Sequence, residues 1–328
     1  MKSNRRHFLA ASAGLASAGL APRSFAQATG KTVRIVVPFP AGGGTDVLAR
    51  LVAEKLRGVY ARSVIVENRP GAAGRIAVDY VKAGDADGSL ILFTPDFVMT
   101  VYPHTYKKLS YEPMRDFVPV ATVAKTVYAL SVGSGLPDSV KTVAEFVQWC
   151  KANPAKSNYA SLSPGSVPHF VGVMLGRAAN FEFTAVQYKG GAPALQDLLG
   201  GQIPLSINPV GEIMPFASAG KIRVLATTGA ARSRFLPDVP TLVESGYKDM
   251  AVEPWLGFLM PAKAPADAVA RLNRSIGEAV KGEEIVQSFA KTGNDVSLST
   301  PAEFAALIRS DIENWGPIVK ASGFTADD

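Results

Sequence analysis

One cysteine and three histidines in 328 residues leave little covalent or metal chemistry for this chain. Cys150 has no partner for an internal disulfide, and beside Trp149 on a predicted helix it reads as a small apolar core residue. No group of His, Cys, Asp and Glu has ligand spacing, so neither a metal nor another cofactor is expected. His7 lies in a leader, which leaves His104 and His169, and neither accompanies a G-x-S-x-G elbow. The glycines at 42–44 lack the Lys-Ser/Thr ending of a phosphate loop, and no G-x-G-x-x-G follows the first strand. Without a basic run interleaved with aromatics, nucleic acid is not an expected partner. No long apolar segment beyond the leader suggests a membrane span.

The leader itself is explicit. Arg5-Arg6-His7-Phe8-Leu9 precedes an Ala/Gly-rich stretch to Ala21, and Ser24-Phe25-Ala26 supplies small residues for cleavage. This predicts an export signal over 1–26, twin-arginine-like, cut after Ala26 or, as second choice, Ala28. Lys2, Arg5, Arg6 and Arg23 leave with it, so 34 basic residues become 30 against 28 acidic ones and the formal +6 falls to +2. The expected destination is the periplasm.

What remains alternates strand and helix. The β-branched run 33–37 reads as a strand, 42–44 as a glycine turn, and Leu48, Leu51, Val52 and Leu56 recur at helical spacing. Strands are predicted near 64–66, 90–93, 117–123, 127–132, 157–161, 184–187, 204–207, 222–227 and 255–259. Thr142-Val143-Ala144-Glu145 and Thr300-Pro301-Ala302-Glu303 are capping boxes that open helices. Ser166 is placed to cap a helix over 167–179, and helices over 265–281 and 301–321 are expected to pack on the first sheet. The alternation predicts an α/β protein of two domains, each a mainly parallel sheet flanked by helices, with 27–124 and 250–328 forming the first and 125–249 the second. Ligands of such sheets sit at the carboxyl ends of strands, where the turns at 38–46, 94–95, 161–166 and 188–193 fall.

Those turns offer hydrogen-bond capacity without an obvious nucleophile. Backbone N–H groups come from 42–46 and 189–192, hydroxyls from Thr45, Thr94, Ser161, Ser163 and Ser166, and an amide from Asn208. Such a set suits an anion held reversibly, with Thr45-Asp46 placed to cap the helix behind the glycines. A tight strand-to-helix turn that binds nothing remains an equal reading of the glycines alone.

Four separated segments resemble the signature of the tripartite tricarboxylate transporter receptors, the Bug family: Pro38-Phe39-Pro40-Ala41-Gly42-Gly43-Gly44-Thr45-Asp46, Glu67-Asn68-Arg69-Pro70-Gly71-Ala72-Ala73-Gly74, Tyr188-Lys189-Gly190-Gly191-Ala192-Pro193-Ala194, and Pro237-Asp238-Val239-Pro240-Thr241 with Glu244-Ser245-Gly246. The resemblance implies a periplasmic solute-binding protein of the Venus-flytrap fold, monomeric, delivering a small carboxylate to a membrane permease. It implies that Phe39, Ala41, Gly43, Thr45 and Asp46 grip one carboxylate from one domain and Tyr188, Lys189, Gly190, Gly191 and Pro193 from the other, with Asp46 ordering its loop and Lys189 acting through its backbone. Two departures stand out. Leu162 and Pro164 make the serine-rich turn before His169 more apolar, and Asn208 stands where many relatives have an aspartate. Loss of that charge disfavours an amino-acid ligand, and Leu162, Phe97 and Phe170 are candidates to line an apolar distal pocket for a di- or tricarboxylate or an aromatic acid. The competing readings are an exported hydrolase using His169 and a ligand-sensing partner of a signalling protein.

Overall fold

Residues 33–37 bury side chains on both faces: Val33, Ile35 and Val37 join one core and Val36 another. A strand apolar on both sides belongs inside a sheet covered by helices. The computed structural model describes residues 29–326, so the leader lies outside them. The chain runs β1 (Thr29–Val37), α1 (Gly44–Leu56), β2 (Ala61–Asn68), α2 (Arg75–Lys82), β3 (Leu90–Pro95), three short helices α3 (Asp96–Thr100), α4 (Tyr102–Thr105) and α5 (Pro113–Asp116), then β4 (Phe117–Lys125). The middle follows as β5 (Tyr128–Val132), α6 (Val143–Ala152), β6 (Asn158–Ser161), α7 (Val167–Ala178), β7 (Thr184–Gln187), α8 (Gly191–Leu199), β8 (Leu205–Pro209), α9 (Val210–Ser218) and β9 (Arg223–Thr227). It closes with β10 (Trp255–Pro261), α10 (Ala266–Ala279), α11 (Glu283–Lys291), β11 (Asp295–Val296) and α12 (Pro301–Ser322).

Two sheets result, ordered β2-β1-β3-β10-β4-β11 and β7-β6-β8-β5-β9. Each has a parallel side, β2-β1-β3 in one and β7-β6-β8 in the other. The strands next to the crossings, β4 and β10 in the first sheet and β5 and β9 in the second, pair antiparallel. The antiparallel pairs lie where the chain passes between the sheets, so both sheets are mixed.

Only residues 126–127 separate β4 from β5. The return segment lies beside them: Thr126 N–H donates to the Pro254 carbonyl at 3.0 Å, and Tyr128 N–H to Thr228 Oγ1 at 3.0 Å. Both capping boxes form, with Thr142 and Thr300 each accepting from the N–H of the glutamate three residues on. Each contributes about 1 kcal/mol.

The last helix departs from expectation. Phe304 and Ile308 of α12 pack in the core of the first sheet, but Trp315 and Val319 enter the core of the second, where Trp315 meets the Phe170 ring at 5.9 Å between centroids. A helix of 22 residues is about 33 Å long and outruns one lobe.

Candidate functional site

The first glycine turn is built by a buried carboxylate. Asp46, 2% exposed, accepts from Gly42 N–H (2.8 Å), Arg50 Nε (2.9 Å) and Asn68 Nδ2 (2.9 Å), and Asn68 Nδ2 also donates to the Phe39 carbonyl (3.0 Å). Burial pushes its pKa up, but the bonds from Arg50, Gly42 and Asn68 outweigh this and hold it below the ordinary value. Asp46 therefore orders the loop and faces inward. The expectation that Thr45-Asp46 caps α1 is corrected: Gly43 is the N-cap, and both residues lie inside the first turn. Gly42 takes the left-handed φ of +84° that bends the chain into it. Among the described residues no backbone carbonyl accepts from the N–H groups of Gly44, Thr45 or Asp46, so three donors and the positive end of a 13-residue helix open in one direction. Gly42 N–H is spent on Asp46. Ala41 and Gly43 are exposed.

The second turn stands at the ends of β6 and β7. Tyr188 N–H donates to the Ser161 carbonyl (2.8 Å) and Gly190 N–H to that of Leu162 (2.9 Å), so those two are not available to a ligand and Lys189, Gly191 and Ala192 supply what this turn can offer. The Tyr188 hydroxyl donates to Asp197 (2.8 Å), Lys189 is exposed and Pro193 half-buried. Gly191 opens α8, and a methyl there would land 1.8 Å from Glu212 Oε2 and 2.9 Å from Asn208 Nδ2. Asn208, fully buried, accepts from Ser206 Oγ and donates to Glu212 Oε2 at 3.0 Å.

A cavity of about 410 Å³ joins the two halves. Gly44, Thr45, Phe97 and Asp96 line it from the first, Tyr128, Pro209, Gly211 and Glu212 from the second, and Trp255 and Lys291 complete the wall. Asp96 and Glu212 carry no sequence motif. The one available signal is Glu212's place four residues after Asn208, one helical turn. Asp96 is 4% exposed, and burial, then the charge of Asp311, pushes its carboxyl up to about 8. Glu212 touches solvent inside a concave wall, where burial raises its pKa against the hydrogen bond from Asn208. Tyr128 is pushed up by burial and then by the charges of Asp96 and Glu212. Of the two turns only the first reaches the 410 Å³ cavity, through Gly44 and Thr45; residues 188–193 and Asn208 are not among its walls. A larger cavity of about 540 Å³ also touches Asp96 and contains neither turn; Lys248, Glu253, Asp311 and Trp315 are among its walls.

Several expected donors point elsewhere. Thr94 is buried and donates to the Pro95 carbonyl (3.2 Å). Ser161 and Ser166 hydroxyls both donate to the carbonyl of Ser163, itself exposed, so Ser166 occupies the N-cap position of α7 without a side-chain cap. Phe170 is corrected as a pocket residue: it is fully buried against His169, Trp315 and Phe324. His169 Nδ1 accepts from Gly165 N–H (3.1 Å), its ring stacks on Phe170, and burial lowers its pKa; this is a packed histidine, and among the described residues no serine hydroxyl bonds its ring nitrogens. Cys150, 1% exposed, has its thiol raised to about 11 by burial. Among the described residues no cluster could hold a metal and no helix is long and apolar enough to cross a membrane.

Two α/β lobes joined by crossing strands, with a cleft at the carboxyl ends of their parallel strands, define a periplasmic binding protein. Within that class the chain belongs to the tripartite tricarboxylate transporter family of receptors, whose pattern matches residues 48–324. It is 30% identical to the protein BugT of Bordetella pertussis over 311 residues, 94% of this chain and 95% of that one. Among solved structures it resembles R. palustris Rpa4515 with adipate (31% identity, TM-score 0.79, 90% of this chain and 98% of that one). It also resembles the periplasmic binding protein BugD (30%, TM-score 0.76, 90% and 99%).

Proposed function

We propose that this protein captures a small carboxylate between its lobes in the periplasm and delivers it to a membrane permease of the tripartite tricarboxylate type. The observation that carries this reading is the single cavity to which the first turn of α1 contributes Gly44 and Thr45 and the first turn of α9 contributes Gly211 and Glu212. Helix N-termini with unspent N–H groups hold carboxylate oxygens without attacking them. One jaw is the loop of Phe39, Ala41, Gly43 and Thr45, kept in shape by Asp46. The other is the turn of Tyr188, Lys189, Gly190, Gly191 and Pro193 with Asn208 behind it. The lobes, 27–124 with 250–328 and 125–249, close about the crossing at 126–127 and its return. Cleavage near Ala26 releases the mature chain, which acts as a monomer.

A di- or tricarboxylate or an aromatic acid is the ligand class to test first, since the relative cited above was solved with adipate. Thermal denaturation of the mature protein against a panel of these acids should show an upshift for at least one. At ligand near 100 times Kd the gain is about 2.7 kcal/mol, a shift of a few degrees for a chain of this size. Mass spectrometry of denatured protein first excludes a ligand carried over from the expression host. Silence across the panel in ligand-free protein contradicts the proposal.

A further inference from the structure

We propose that the turn Gly71–Gly74 positions the first jaw, and that Tyr102 is the positioning residue that ties this turn to the wall of the cleft. This rests on the carboxylate reading above and deepens it. The turn runs through four successive positive φ angles, +126° at Gly71, +45° at Ala72, +55° at Ala73 and +93° at Gly74. Glycine adopts such angles freely, whereas alanine does so only where its surroundings hold it there. Ala72 and Ala73 are both exposed, so no core packing of their methyl groups compensates the strain. What the strained turn places is its neighbour. Gly74 is buried, and a Cβ there would lie 3.0 Å from Pro38 Cβ and 3.7 Å from Phe39 Cζ, so the backbone of the turn is pressed against the start of the jaw.

Two side chains hold the turn in that shape. The Tyr102 hydroxyl donates to the Ala73 carbonyl (3.0 Å), and Arg75 Nε donates to the Ala72 carbonyl (3.2 Å) while its guanidinium lies over the Tyr106 ring at 4.0 Å. Tyr102 also leads to the cleft. Its ring meets that of Phe97 edge-on at 5.6 Å between centroids, and Phe97 meets Phe39 at 6.1 Å. The contacts close a circuit, from Phe39 through Phe97, Tyr102, Ala73 and Gly74 back to Pro38. Asn68 Nδ2 on the Phe39 carbonyl and Arg69 N–H on the Val37 carbonyl (2.9 Å) fasten the same corner. Phe97 lines the 410 Å³ cavity with Gly44 and Thr45, whereas Tyr102 is 7% exposed and forms no part of its wall. Tyr102 therefore acts on the site through Phe97 and the turn, without touching the ligand.

Tyr102→Phe keeps the ring and removes the hydroxyl. In ligand-free mature protein, hydrogen–deuterium exchange over residues 39–50 should speed up, read at the bonded N–H groups of Gly42 and Val47, while α6 in the other lobe exchanges as in the parent. Isothermal titration with adipate, citrate and benzoate should show whichever of them the parent binds held about three- to tenfold more weakly, the worth of one hydrogen bond. Arg75→Met, at a half-buried position, should act in the same direction and carries the test if Tyr102→Phe does not fold. Ala73→Gly added to Tyr102→Phe should return both readouts toward the parent, because glycine holds that φ unaided. A tyrosine that only stabilises the lobe would lower the melting temperature and move neither readout. Parent-like exchange over 39–50 and parent-like affinity in both single variants, or no recovery with glycine, overturns the inference and leaves the carboxylate reading standing. Faster exchange in the variants of a parent that is silent to the whole acid panel overturns that reading and leaves the positioning of the loop in place.

Discussion

Asp46 is a carboxylate that three donors converge on, and its removal strands Gly42 N–H, Arg50 and Asn68 at once. Asp46→Ala should cost about 1–3 kcal/mol in urea denaturation at neutral pH. The sign of its pH dependence follows from a pKa held below the unfolded value of 3.8: the contribution is complete above that pH and is lost as pH falls through the lower, folded value. Parent and variant stabilities should therefore converge as acid protonates Asp46 in the folded protein, and a gap that does not narrow at all as pH falls from neutral into the acid range would mean the network acts by packing alone. The glycine turn was legible in the sequence because Gly42 to Thr45 have few other uses between a strand and a helix. Asp96 and Glu212 were not legible, since a lone acid after a strand or inside a helix is usually a solvated residue, and only the fold brings these two from opposite lobes to one cavity.

The elements themselves were legible wherever periodicity or capping spoke. Strands β1 to β10 fall close to their predicted places, and Thr142 with Glu145 and Thr300 with Glu303 open helices as their spacing requires. The strand β11 and helix α11 escaped because two residues give no alternation and a nine-residue helix without a capping box gives little signal. They matter nonetheless, for the turn between them touches the other lobe. A methyl on Gly211, at the start of α9, would lie 2.2 Å from the Thr292 carbonyl oxygen, with Gly293 N at 3.0 Å. These are backbone atoms that cannot swing aside. Gly211→Ala should force α9 away from the α11 turn, cost about 1–3 kcal/mol by overpacking and weaken ligand binding. A variant with unchanged melting temperature and affinity would show that the lobes do not depend on this contact. The second half of α12 was misplaced for a related reason: its apolar residues declare that they are buried, not which lobe buries them.

At the scale of the molecule, two sheets, each parallel on one side, are joined through antiparallel strands, and every turn assigned to the site leaves the carboxyl end of a strand. Alternation of strand and helix made that class legible, and four short motifs in order made the family so. The mixed character of the sheets was not, because strand direction depends on how the chain returns through residues 228–254, which carry little pattern. In the proposed binding mode one carboxylate is held by both jaws at once. The crystal structure of the protein with the tightest acid from the titrations tests it most directly. We predict a carboxylate within hydrogen-bond reach of Gly44, Thr45 or Asp46 N–H on one side and of Lys189, Gly191 or Ala192 N–H, directly or through one water, on the other. A ligand bound to one lobe only, or in the 540 Å³ cavity beside Asp311 and Trp315, would contradict it.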